Sequence, residues 1–124
     1  MIRIFLALAA ISGGLSVAAG AFASHALREK LSERSLSIFE TGARYQMYHA
    51  IALVLVALLL SRYESPPPTL VAAGWAFIAG IAIFSGSLYA LSLTDVKVLG
   101  AVAPLGGAAF IAGWGYKRDR CFKL

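Results

Sequence analysis

The stretch Ile4–Leu27 reads IFLALAAISGGLSVAAGAFASHAL and contains no Asp, Glu, Lys or Arg. Each residue of an α-helix rises about 1.5 Å, and the ~30 Å hydrocarbon core of a bilayer needs about 20 helical residues. The 24 residues of this stretch are therefore enough for one membrane crossing.

Three further stretches lack charged residues, namely 45–61, 65–94 and 98–116. The stretch 65–94 has Pro66, Pro67 and Pro68 directly after Ser65, which favour a stiff extended spacer, so its helix is expected over about 70–91. All four stretches are apolar on every side, whereas the strands of a membrane barrel alternate polar and apolar residues. Backbone groups in lipid must hydrogen-bond within the segment, which favours helices. The predicted spans lie near 4–24, 45–61, 70–91 and 98–116.

The composition agrees with a membrane protein. Of 124 residues, 60% are hydrophobic, and there is one cysteine, Cys121. A soluble domain of this size would leave large apolar patches in water, disorder requires low hydrophobicity, and a disulfide-stapled fold requires several cysteines. The sequence predicts an all-α, four-transmembrane-helix bundle in which residues 1–124 form a single integral membrane domain.

The polar segment between the first two spans, Arg28–Arg44, mixes charged residues with Leu31, Leu36 and Phe39. This pattern predicts a short interfacial helix between helices 1 and 2. Ser37 and Glu40 have the spacing of a capping box, so the second helix is expected to begin at Ile38. Glu40 and Arg44 are spaced for an i,i+4 ion pair at the mouth of the second span.

The N-terminus allows two interpretations. Arg3, the apolar run and the sequence Ala21-Phe22-Ala23 are similar to a cleavable signal peptide. The run is long for such a leader and carries a helix-packing pattern, which favours a retained first helix. Both interpretations stay open at this point.

The distribution of cations bears on orientation and partners. Four spans place both termini on one side, with six Lys or Arg there against five on the other side. The positive-inside rule gives this count little weight, and the cluster Lys117, Arg118, Arg120 and Lys123 favours cytoplasmic termini. The net charge is +5, but the cations flank the spans, so lipid head groups are expected as partners and nucleic acid is not.

Small residues recur at four-residue spacing in three of the spans. Helices in lipid associate by close packing along such stripes. The expected packing positions are Ser12, Ser16, Gly20, Gly80, Gly86, Gly107 and Gly113, and Pro104 is expected to kink the fourth helix. They predict a tight bundle and leave room for a homo-oligomer or a membrane-protein partner.

One group of polar residues is a candidate functional cluster: His25, Arg44, Tyr45, Tyr48 and His49. Polar residues inside a membrane face the protein interior or a wet cavity. The cluster is interpreted first as a polar contact tying helix 1 to helix 2. The alternatives are a proton relay and a haem or metal site between the two imidazoles. No sequence motif of an enzyme, cofactor or metal site is present, so neither catalytic residues nor metal ligands are assigned.

The same residues carry a family resemblance. The runs Gly20–Leu27 and Glu40–Ala50, followed by Ile83–Tyr89, Ala103–Gly107 and Gly113-Trp114, resemble the small membrane proteins called domain of unknown function 423, or transmembrane protein 256-like. Ser24 departs from the Gly common before the histidine in that family. The resemblance implies a four-helix protein of the inner or plasma membrane, and implies no known reaction or cofactor. It also draws attention to the five residues of the candidate cluster.

The function predicted from these observations is that of a non-enzymatic membrane component or accessory subunit acting through helix packing. The alternative is a small proton or ion transporter, channel or cofactor-binding protein that uses His25 and His49.

Overall fold

The computed structural model describes residues 1–121, and the side chains of residues 1–116. Cys121 and the cations at positions 117, 118, 120 and 123, on which the predicted orientation depends, lie outside the described side chains. In the described part of the chain every regular element is helical.

Four helices are long and apolar enough to cross a membrane: Ile2–Leu27, Glu33–Leu60, Pro68–Thr94 and Leu99–Tyr116. They confirm the four-span prediction and are called the first to fourth spans below. The first span consists of α1 (Ile2–Phe22) and a π-helical turn (Ala23–Leu27), and the second is α2 (Glu33–Leu60). The third consists of α3 (Pro68–Gly80), a π-helical turn (Ile81–Ser85) and α4 (Gly86–Thr94), and the fourth lies within α5 (Leu99–Cys121).

The separate interfacial helix expected between the first two spans requires correction. Residues 28–32 form the turn, and α2 begins at Glu33 and runs without interruption to Leu60. Ser32, in an extended conformation, accepts a hydrogen bond from the backbone N–H of Ser35, and so caps the helix five residues before the expected cap at Ser37. The polar segment therefore forms the first turns of the second span.

The third span also exceeds its predicted bounds. It begins at Pro68, because the first position of a helix needs no N–H donor and accepts proline. It ends at Thr94, where Asp95 adopts a left-handed conformation with φ 57° and donates its N–H to the carbonyl of Leu91. In the fourth span, α5 continues across Pro104.

The second span is the central helix of the bundle. In the apolar 18-residue stretch of the second span, half of the residues are buried inside the chain, against 17% in the corresponding stretch of the first span. The first span packs along one side of it and the third along another, while the fourth packs mainly against the third. The largest buried core side chains come from three spans and are Phe5, Leu53, Val56, Leu60, Leu70 and Phe77.

The outer surface is apolar, as expected where lipid surrounds the bundle. Leu15 and Val17 of the first span are 60% and 62% exposed, and Leu105 and Ile111 of the fourth are 66% and 75% exposed. These exposed side chains do not form a core within the chain, so their place is in contact with lipid or another protein.

Close helix contacts depend on glycines opposite phenylalanine rings. A Cβ on Gly80 would meet the ring of Phe110, and one on Gly113 would lie 2.7 Å from Phe77. Two glycines outside the expected stripes also lie at close contacts. A Cβ on Gly74 would meet the ring of Phe5, and one on Gly106 would meet the backbone of Phe84. Gly20 and Gly86 differ, because a Cβ there would meet no atom within 4 Å, and Gly107 has only a loose contact at 3.9 Å.

Candidate functional site

A short segment of the second span, residues 42–49, hydrogen-bonds to all three other spans. Two serines reach its backbone carbonyls: Ser16 of the first span donates to Ala43 over 2.6 Å, and Ser85 of the third donates to Gly42 over 2.7 Å. Both bonds are buried. The carbonyl oxygen of a helical residue already accepts one hydrogen bond within its own helix. Its second lone pair is free to accept a bond from the serine hydroxyl.

Gln46 joins three spans at once. Its Nε2 donates to the backbone carbonyl of Ser12 in the first span over 2.8 Å, and its Oε1 accepts from the hydroxyl of Tyr89 in the third span over 2.6 Å. The side chain is buried, with 6% of its surface exposed. Both ends of the amide are therefore satisfied where water is scarce, which removes the cost of burying it.

His49 connects the second span to the fourth, and its partners fix its tautomer. Nδ1 lies 2.7 Å from the carbonyl oxygen of Tyr45, which can only accept, so Nδ1 carries the hydrogen. Nε2 then accepts from the indole N–H of Trp114 over 3.2 Å. Both nitrogens of the neutral imidazole are engaged.

The faces of the His49 ring are also occupied. Phe110 stacks on it with ring centroids 3.5 Å apart and planes inclined by 9°. The Phe77 ring lies 5.5 Å from it, and the Tyr45 ring 6.3 Å. His49 is consequently 5% exposed and lies among aromatic rings.

His25, the other histidine, is placed elsewhere. It lies in the π-helical turn at the end of the first span and is exposed. Because α2 begins at Glu33, His49 follows sixteen residues later, about 24 Å along the helix axis. In the described part of the chain no hydrogen bond or ring contact joins the two imidazoles. The structure thus separates the two histidines of the candidate cluster.

Arg44, Tyr45 and Tyr48 lie on the outer side of the second span. Arg44 is paired with Glu40 at a distance of 4.0 Å, and both side chains are substantially exposed. Tyr45 and Tyr48 are 40% and 53% exposed, with ring centroids 5.6 Å apart. Tyr45 also contacts Phe84 of the third span, with centroids 5.0 Å apart.

Residues 42–49 and the groups of the other spans that hydrogen-bond to them are called the hub below. Several of its residues were not among the sequence candidates. Gly42, Gln46, Ser85, Tyr89 and Trp114 supply most of the partners described above. All five stand in the motifs that carry the family resemblance, which is the signal that points to them. Among the described residues, no three or more His, Cys, Asp or Glu side chains are grouped so as to hold a metal ion.

Comparisons with known proteins identify the family of the chain. A family model described as protein of unknown function (DUF423) matches residues 19–107, which contain the whole hub except Ser12, Ser16 and Trp114. The chain belongs to this family. The UPF0382 membrane protein YwdK of Bacillus subtilis (strain 168) is 46% identical to it over 112 residues, covering 90% of each chain. A UPF0382 membrane protein of Staphylococcus epidermidis is 42% identical over 112 residues, covering 90% of this chain and 89% of the relative.

The UPF0382 membrane protein SSP2132 of Staphylococcus saprophyticus is 41% identical over 112 residues, covering 90% of this chain and 91% of the relative. No solved structure matches the chain. The relatives carry membrane-protein names and no reaction, so the chain is a membrane protein of unknown molecular function.

Proposed function

We propose that this DUF423 protein is a non-enzymatic component of the membrane that acts through helix packing, either as an oligomer or as a subunit of a larger membrane assembly. The observation that carries this proposal is the hub at residues 42–49. Its buried polar groups bind the first, third and fourth spans and leave few donors or acceptors for a substrate.

The chemistry of the hub supports a structural role. A general base or a metal ligand needs a free nitrogen lone pair. The Nε2 lone pair of His49 accepts from Trp114, and its Nδ1 hydrogen is donated to Tyr45. The alternative function, proton or ion transport or cofactor binding through His25 and His49, also requires the two imidazoles to cooperate, and they lie apart.

Reconstitution tests this proposal against its alternative. Purified protein in lipid vesicles with a pH-sensitive dye inside is expected to give the same proton leak as vesicles without protein. The visible spectrum is expected to lack haem absorbance. A proton flux that His49→Ala abolishes would overturn the proposal in favour of transport, and a His25→Ala variant would show whether both histidines take part.

We further propose that the protein lies in the inner (plasma) membrane with both termini in the cytoplasm. An even number of spans places the termini on one side, and the cations after the fourth span favour the cytoplasmic face. A phosphatase and a fluorescent-protein reporter fused in turn to the C-terminus test this orientation. Fluorescence without phosphatase activity is expected, and the reverse result would contradict it.

A further inference from the structure

A groove of about 330 Å³ runs along one side of the contact between the first and second spans. Its wall on the first span has small side chains: Ser16, Val17, Gly20 and Ser24. The space next to Gly20 is open, since a Cβ there would meet no atom within 4 Å. The opposite wall, on the second span, consists of Glu40, Ala43, Arg44 and Met47.

The groove contains one charge of each sign. Glu40 and Arg44 lie one helical turn apart, and their side chains are 40% and 59% exposed. Their closest N–O distance of 4.0 Å is at the limit of an ion pair, and each side chain keeps exposed surface beside its partner. Both remain able to bind a group from outside the chain.

The contacts of the second span place Arg44 at the middle depth of the bundle. Ala43, its neighbour, accepts the hydrogen bond of Ser16, which lies twelve residues after Ile4 and eleven before Leu27. Tyr45, its other neighbour, contacts Phe84, which packs against Gly106, near the centre of the uncharged stretch 98–116. Measured from Ser16 along the first span, this depth is about 21 Å of helix from Ile2 and about 16 Å from Leu27.

This depth differs from the mouth of the span, where the sequence places the pair. Glu40 is one turn nearer to the loops, about 5.4 Å, so it too lies below the edge of a ~30 Å hydrocarbon layer. Exposed charges at such depth are costly in lipid and normally face protein or water. Acyl chains are therefore unsuitable as the neighbours of this groove.

We propose that a second copy of this chain covers the groove, with Arg44 of each copy bound to Glu40 of the other. In two copies with the same orientation in the membrane, related by a twofold axis along the membrane normal, Arg44 of one copy and Glu40 of the other differ in depth by one helical turn, the same offset as within one chain. In a twofold interface the same surface of each copy contacts that of the other, so each contact occurs twice. A surface with one charge of each sign can therefore form two ion pairs of opposite charge. The small residues on the first span allow close helix approach.

A second copy also fits the charges better than a lipid head group does. A phosphate bound to Arg44 would lie beside the carboxylate of Glu40 and would have to descend from the membrane surface. The second copy instead brings a carboxylate to Arg44 and a guanidinium to Glu40. This inference rests on the proposed role in helix packing and specifies the interface.

Exchange of the charges tests the pairing. A Glu40→Arg chain carries two positive charges in the groove, and an Arg44→Glu chain carries two negative charges, so each is expected to repel its own kind. Full-length chains with two different tags, expressed together in the membrane and isolated in mild detergent, report association by co-purification. Either variant alone is expected to co-purify about tenfold less than the wild type, equivalent to about 1.4 kcal/mol.

The decisive sample is the mixture of the two variants. Each pairing across its interface is then between opposite charges, so wild-type co-purification is expected to return. Neither chain in the mixture has an intact internal Glu40–Arg44 pair, so recovery cannot come from repair within one chain. Mixing without recovery would overturn the proposal. So would equal co-purification of wild type and both single variants.

Cross-linking gives a second measurement that leaves both charges in place. In a Cys121→Ser background, Gly20→Cys is expected to form disulfide-linked dimers in native membranes, whereas Ile111→Cys on the exposed face of the fourth span is not. Monomeric Gly20→Cys that retains phospholipid in native mass spectrometry, and loses it in the Arg44→Glu background, would assign the groove to a lipid instead. Proton flux in the vesicle assay would overturn the proposed function and leave this dimer standing, so the two failures are distinguishable.

Discussion

The indole N–H of Trp114 donates to Nε2 of His49 over 3.2 Å, across the contact between the second and fourth spans. The imidazole can accept this bond because its Nδ1 hydrogen is directed to the carbonyl of Tyr45 in its own helix. A backbone group of one helix thus determines which histidine nitrogen faces the other helix. The same ring stacks on Phe110, so polar and apolar contacts coincide at one residue.

Trp114→Phe is expected to destabilise the protein modestly. The substitution keeps most of the aromatic surface and removes the hydrogen bond, and interhelical hydrogen bonds in membranes average about 0.6 kcal/mol. His49→Ala is expected to cost about 2–4 kcal/mol, because it also removes the ring on which Phe110 stacks. Unfolding of detergent-solubilised protein by increasing SDS, followed by circular dichroism, measures both changes.

Trp75→Phe is the matched control for this measurement. Trp75 belongs to the third span and is 43% exposed, with its ring against Phe5. It should change the unfolding midpoint less than Trp114→Phe does. Equal effects would mean that the loss at position 114 reflects tryptophan surface and not the bond to His49.

The tautomer of His49 is a separate prediction. Nitrogen NMR of protein labelled at histidine, in lipid, is expected to show a protonated Nδ1 and an unprotonated, hydrogen-bonded Nε2 for this residue. His49→Ala identifies its signals among those of the two histidines. A protonated Nε2 would mean that Trp114 is not the donor, and that the contact between the spans is formed differently.

The four spans are predictable from sequence because bilayer thickness fixes the length of an uncharged segment. The start of the second helix is not, since Ser32 and Ser37 both precede polar, helix-compatible residues and local pattern does not separate them. The structure selects Ser32 and carries the helix through Glu40 and Arg44. This difference moves the Glu40–Arg44 pair from the mouth of the second span to positions seven and eleven residues after its start at Glu33.

The residues of the hub were predictable only in part. Spacing along one helix indicates which side chains share a face, but it does not indicate what lies opposite on another helix. Gly106 and Gly20 both occur in runs of small residues. A Cβ on Gly106 would collide with the backbone of Phe84, whereas one on Gly20 would meet no atom within 4 Å. The pairing of Gln46 with Tyr89, 43 residues apart in sequence, likewise depends on the packing of whole spans.

Gln46 and Tyr89 are expected to be coupled energetically. Tyr89→Phe removes one hydrogen bond from the Gln46 amide, at a cost of about 0.6 kcal/mol. In a Gln46→Leu background this bond is already absent, so the same substitution should cost nearly nothing. The double-mutant cycle, measured by SDS unfolding, isolates the interaction between the two residues.

Tyr63→Phe is the control for that cycle. Tyr63 lies in the turn after the second span, at the opposite end of the bundle from Tyr89, and packs against the main core. Its effect should be the same in the wild type and in Gln46→Leu. A cycle in which Tyr89→Phe is equally costly in both backgrounds would contradict the hydrogen bond to Gln46.

Glycine-to-alanine substitutions should separate the close helix contacts from the open positions. A methyl group at Gly106 would collide with the backbone of Phe84, which cannot move as a side-chain tip does, and overpacking of this kind costs about 1–3 kcal/mol. Gly86→Ala is the matched control, because the space there is open within 4 Å and alanine favours a helix by up to about 1 kcal/mol. The unfolding midpoint should therefore fall for Gly106→Ala and stay level or rise for Gly86→Ala. A fall of similar size for both would show that Gly86 also lies at a close contact, supplied by a neighbouring molecule in the membrane.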